Sequence, residues 1–107
     1  MKKKVYIAGP YSKGDVEYNV GTALAVAERL MVEGHVPFVP HLTHFWHLAH
    51  PHSYQFWLNY DNEWLPLCDV LLRLKGESSS ADEEVRLAIS LNIPVFYDIV
   101  SLLESLR

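Results

Sequence analysis

Cysteine is nearly absent from this sequence: Cys68 stands alone among 107 residues. A disulfide framework and a cysteine-based zinc site are thereby excluded. Cys68 lies between Leu67 and Asp69-Val70, the setting of a buried free thiol. Positive charge is scarce as well. Nine Lys and Arg against thirteen Asp and Glu leave a net charge of −4. Such a chain lacks the basic footprint of a protein that binds nucleic-acid polymers, whereas a small phosphorylated ligand needs only local donors. No apolar run approaches the ~20 residues of a membrane span. Lys2, Lys3 and Lys4 mimic the start of a signal peptide, but the apolar run behind them, Val5 to Gly9, is too short and meets Pro10. The expectation is a soluble, cytoplasmic protein without a membrane partner. Hydrophobic residues are plentiful at 50%, enough for one small domain over residues 1–107 with a real core.

Short apolar runs alternate with helical stripes. Residues 4–8 read as a buried strand closed by Gly9-Pro10. Residues 16–33 read as a helix, with Val16, Val20, Ala23, Leu24, Ala27, Leu30 and Met31 spaced by threes and fours and Gly34 ending it. Residues 36–39, 69–74 and 94–97 read as further strands. Residues 41–52 read as irregular, 54–66 and 81–91 as helices, and Ile99, Leu102, Leu103 and Leu106 as the stripe of a closing helix. This alternation predicts an α/β fold: a doubly wound three-layer sandwich on a parallel sheet of four to five strands. Ligands of such sheets bind beyond the carboxyl ends of the strands. The segments 9–15, 40–52 and 75–80 fall there.

The most informative stretch is Ser78 to Val95. A serine cluster opens a helix, whose N-terminus can hold a phosphate or keep a carboxylate ionised. Ser80 and Glu83 fit a capping box. That leaves Glu84, on the stripe Glu84, Leu87, Ala88, Leu91, as the acid free for chemistry. The loop Gly9-Pro-Tyr-Ser-Lys-Gly14 is either a turn or a ligand loop. Tyr6 is either a core tyrosine or a catalytic one. His41, His44, His47, His50 and His52 permit a metal site by spacing, but no carboxylate or cysteine interleaves them, and a polar lid is the favoured reading. Trp46, Trp57 and Trp64, with Phe45, Tyr54, Phe56 and Tyr60, suggest a stacking wall for a nucleobase or a subunit interface. Asp69 reads as a structural cap. Asp61, flanked by Trp57 and Trp64, is either a solvated acid or one whose pKa is raised for proton donation.

Together these pieces resemble the nucleoside 2-deoxyribosyltransferase-like family, including its nucleoside 5′-monophosphate N-glycosidase branch. The matching segments are Tyr6-Ile-Ala-Gly9, Asp61 eight residues before Asp69 with Trp64 between them, and Glu84-Val-Arg-Leu-Ala88 followed by Pro94-Val95. The resemblance implies a flavodoxin-like fold and no cofactor. It makes Glu84 the nucleophile on the anomeric carbon, Asp61 the acid on the side of the base, and Tyr6 the residue that orients the nucleophile. Ser78, six residues before the nucleophile, implies a nucleoside 5′-monophosphate rather than a bare nucleoside. Gly9, Tyr11, Ser12, Ser78, Ser80, Trp57 and Trp64 are the substrate-binding candidates. Hydrolysis and transfer to a second base both stay open. Val85, Arg86 and Leu87 depart from the family pattern and keep a second reading alive, a non-catalytic nucleotide-binding module. The aromatic segment implies a homodimer or larger assembly.

Overall fold

A computed structural model describes residues 2–107. Four strands, β1 (Lys4–Ala8), β2 (Val36–Phe38), β3 (Val70–Arg73) and β4 (Val95–Phe96), form one sheet in the order β2-β1-β3-β4. Every pairing is parallel, with Val5 opposite Val70 and Leu71 opposite Val95. The helices are α1 (Val16–Val32), α2 (Thr43–Ala49), α3 (Tyr54–Trp64), α4 (Ser79–Ser90) and α5 (Ile99–Ser105). The expected α/β architecture is thus present, with four strands. Among the described residues no helix is long and apolar enough to cross a membrane.

The central strands are buried on both faces, which is why β1 and β3 read as continuous apolar runs. Alternation sorts their side chains into two cores. Val5, Ile7, Val70 and Leu72 face Ala23, Ala27 and Leu30 of α1 and Leu102 and Leu103 of α5. Tyr6, Ala8 and Leu71 face Ala81 and Ala88 of α4, with Leu65 and Cys68. Cys68 is a buried free thiol, with its pKa pushed up to about 11 by burial. At the base of the sheet the Asp69 carboxylate accepts the Lys4 backbone N–H at 2.8 Å and ties β3 to β1. The chain leaves β1 for β2 on one side and returns through β3 on the other. The crevice between β1 and β3 is therefore the switch point.

Three local expectations are corrected. The buried stripe of α1 is narrower than the sequence suggests: Leu24 and Met31 are 40% and 60% exposed. The residues that meet the sheet are Val20, Ala23, Ala27 and Leu30. Residues 41–52 are irregular only from His50 to His52. Pro40–Leu42 form a 3-10 turn and Thr43–Ala49 form α2. Pro40 sits at the first position of that turn, where its missing N–H costs nothing. The Thr43 hydroxyl donates back to its carbonyl at 2.9 Å. Finally, α4 begins two residues earlier than expected. Its cap is Ser78, whose Oγ accepts the Ala81 N–H at 3.1 Å. Ser80 and Glu83 therefore form no capping box. Gly76 sets this register: its φ is +118°, and an added Cβ would lie 2.7 Å from Pro10 Cγ. Only glycine lets the chain turn beneath Pro10 there and arrive at Ser78 in extended geometry.

Candidate active site

Beyond the carboxyl ends of β1 and β3 lies a cavity of about 580 Å³. The loop after β1 contributes Gly9, Tyr11 and Ser12 to its wall. The start of α4 contributes Ser78, Ser80 and Glu84, and α3 contributes Trp57 and Asp61. Eight of the sequence candidates thus meet at one place, although they are spread along the chain from Gly9 to Glu84. Gly9 is required for this closeness, since a Cβ there would stand 2.9 Å from Leu74 Cβ.

Tyr6 lies wholly buried beneath the cavity floor, and its hydroxyl donates to Glu84 Oε2. Trp64 is the exception among the candidates. It stacks on Phe38 with ring centroids 5.6 Å apart, is 41% exposed and does not line the cavity. Trp57 and Trp64 share a helix face, but the seven-position step from one to the other corresponds to about 10 Å along the axis. Only the nearer ring reaches the cavity.

Burial dominates the electrostatics. Glu84 is 4% exposed, and removal from water pushes its pKa up to about 8. The hydrogen bond from Tyr6 pulls it back, the Asp61 charge raises it, and the Arg73 guanidinium lowers it. The sequence suggested that the helix N-terminus would keep this carboxylate ionised. That effect fades within the first turn, and Glu84 stands six residues past the cap, so desolvation prevails. Asp61 is 8% exposed and is pushed up to about 7 by burial, with its Oδ1 free of any hydrogen-bond partner. The Tyr6 phenol is raised far above its ordinary range by burial and by the two neighbouring carboxylates. It therefore keeps its proton and donates it to Glu84.

Several residues of the site were not legible in the sequence. Lys13 and Glu77 both border the cavity and form an ion pair of 2.7 Å across the two loops. That contact depends on β1 and β3 being neighbours, which no local pattern reveals. Arg73, at the end of β3, pairs with Asp82 at 2.9 Å and donates to the Leu74 carbonyl. Of the histidines, His41, His47 and His52 border the cavity, whereas His44 meets the Tyr11 hydroxyl at 2.5 Å. His41 is buried, with Nε2 at 3.0 Å from the Pro10 carbonyl and its pKa lowered by desolvation. Among the described residues no three His, Cys, Asp or Glu side chains are grouped to hold a metal ion.

Residues 3–98 match the family described as a domain of unknown function, DUF7768. The chain belongs to that family. No curated protein matches the chain. Among solved structures, the chain is similar to the 2-deoxyribosyltransferase of the psychrotolerant bacterium Bacillus psychrosaccharolyticus. The two share 22% identity and a TM-score of 0.61, over 86% of this chain and 69% of that one. At this identity the likeness is one of fold: the DUF7768 chain carries a distant version of that enzyme's α/β architecture.

Proposed function

We propose that the protein cleaves, or transfers, the N-glycosidic bond of a (2′-deoxy)nucleoside 5′-monophosphate. The observation that carries this reading is the convergence of Tyr6, Glu84 and Asp61 at one cavity, with both carboxyl groups buried and raised toward neutrality. The Asp61 charge raises the Glu84 carboxyl further, so ionising the one acid opposes ionising the other. Covalent glycosyl chemistry needs one acid ionised and the other protonated. The Tyr6 hydroxyl donates to Glu84 and lowers its pKa, yet burial leaves Glu84 at about 8, above Asp61 at about 7. The reactive state is the less populated one, in which Glu84 holds the charge and Asp61 the proton.

In that state a Glu84 oxygen bonds to C1′ as the C1′–N bond breaks. The departing electron pair stays on the base nitrogen, which takes the proton from Asp61. Asp61, now ionised, then removes a proton from water, and the resulting oxygen displaces Glu84 from C1′. A second base in place of water gives transfer. The structural neighbour, a 2-deoxyribosyltransferase described as a biocatalyst for nucleoside synthesis, supports the coarse chemistry.

The 5′-phosphate is assigned to the start of α4. Ser79 and Ser80 have first-turn N–H groups that an α-helix leaves without internal partners. Ser12, Lys13 and Ser80 line the same cavity. The Lys13–Glu77 pair is mostly solvent-exposed, and such pairs hold weakly, so Lys13 can exchange Glu77 for a phosphate. A second reading, a nucleotide-binding module without turnover, is favoured by the burial of Glu84, which resists the charged form a nucleophile needs. The exposed aromatic face of α2 and α3, with Phe45, Trp46 and Tyr54, supports a homodimer or larger assembly.

The deciding experiment is a screen of nucleoside monophosphates for free-base release. Turnover by the natural chain is expected to fall by several orders of magnitude in Glu84→Gln. A 2-fluoro sugar is expected on Glu84 by mass spectrometry. Binding without any base release would establish the module reading instead, and no binding at all would remove both.

A further inference from the structure

Trp57 and His47 make a contact that the glycosidic chemistry does not use. The indole Nε1–H of Trp57 donates to His47 Nδ1 at 2.8 Å. The backbone N–H of His52 donates to the same nitrogen at 3.2 Å. Both groups are donors only, so Nδ1 acts as an acceptor and carries no proton. A neutral imidazole of this kind holds its single proton on Nε2. The ring is half-buried and borders the cavity beside His52, Tyr54 and Trp57. Of its two polar atoms, only Nε2–H remains for a ligand.

The surroundings say which part of a ligand that is. Trp57 meets His47 and His52 edge-on, at centroid distances of 6.1 and 5.4 Å. This aromatic corner is the part of the wall suited to a planar base. The hydroxyl and amide donors suited to phosphate belong to the 9–15 loop and the start of α4. We infer that His47 is a specificity residue, whose Nε2–H selects nucleobases presenting a carbonyl over those presenting an amine at the same position. A carbonyl oxygen completes the hydrogen bond. An exocyclic amine sets two donors face to face and leaves both unsatisfied as water is expelled. Sites that recognise through a hydrogen bond discriminate strongly for this reason. The selectivity rests on the nucleotide reading above and narrows its substrate class to oxo-bases.

The test compares inosine and adenosine monophosphates, which differ at the 6-oxo and 6-amino groups. Binding is measured by calorimetry in the Glu84→Gln background, so that nothing turns over. Inosine monophosphate is expected to bind about tenfold tighter or more. His47→Phe should abolish the difference. His47→Gln, whose amide nitrogen can stand where Nε2 does, should restore most of it. Nitrogen-15 NMR of the histidine-labelled natural chain gives a readout independent of variants. It should show an unprotonated Nδ1 and a protonated Nε2 on His47, with the Nε2–H signal moved by inosine monophosphate. Equal affinities that His47→Phe leaves unchanged, or a proton on Nδ1, would overturn the role of His47 and leave the nucleotide reading standing. If neither nucleotide binds, the nucleotide reading fails, and the selectivity falls with it.

Discussion

Replacing Glu84 by Gln should change how stability depends on pH, whether or not any substrate is turned over. Glu84 ordinarily titrates near 4.5 and is raised to about 8 in the fold. Between these values the folded chain holds the proton more tightly than the unfolded chain, so folding stability falls as pH rises. Below about pH 4.5 both states are protonated and the penalty vanishes. At pH 7 keeping this buried group in place costs about 3 kcal/mol, and the change from pH 5 to pH 7 is about 2–3 kcal/mol. Glutamine keeps the shape and can accept the Tyr6 hydroxyl through its carbonyl, but it has no charge to bury. Urea unfolding followed by tryptophan fluorescence at pH 5 and pH 7 measures both proteins. The natural chain should lose about 2–3 kcal/mol more than Glu84→Gln over that interval. Parallel pH profiles for the two proteins would refute the argument, since they would mean that the Glu84 carboxyl is neither desolvated nor raised.

Gly76→Ala should destabilise the chain by about 1–3 kcal/mol in the same unfolding assay, because φ is positive there and Pro10 occupies the space of the new Cβ. Ser78→Ala should cost about 1 kcal/mol by removing the cap on Ala81, even without ligand. Glu83→Gln should leave stability within ~0.5 kcal/mol, since Glu83 is exposed and caps nothing. Light scattering at micromolar concentration should report a dimer or larger species, and a monomer would exclude a partner copy on the α2–α3 face.

The sequence by itself settled the alternation of the four strands with α1, α3, α4 and α5, because each depended on local periodicity, while α2 escaped it. The apolar runs of β1 and β3, the three-and-four spacing from Val16 to Met31 and the terminators Gly34 and Pro40 are all read within a few residues; only the structure narrowed that stripe to Val20, Ala23, Ala27 and Leu30. Local pattern also marked Glu84 as an inward acid and Asp61 as an acid among aromatics. Tertiary structure decided what those acids are worth. The helix dipole that favoured an ionised Glu84 acts over one turn, whereas the desolvation that opposes it comes from burial of α4 against the sheet. The choice between Ser78 and Ser80 as helix cap was likewise made elsewhere, by Pro10 crossing over Gly76. Trp57 and Trp64 looked equivalent in sequence, and only the position of the cavity along α3 separated them. Lys13 with Glu77, and Trp57 with His47, were invisible for a common reason. Each joins segments whose nearness is set by strand order and helix packing, and no short stretch of sequence records that.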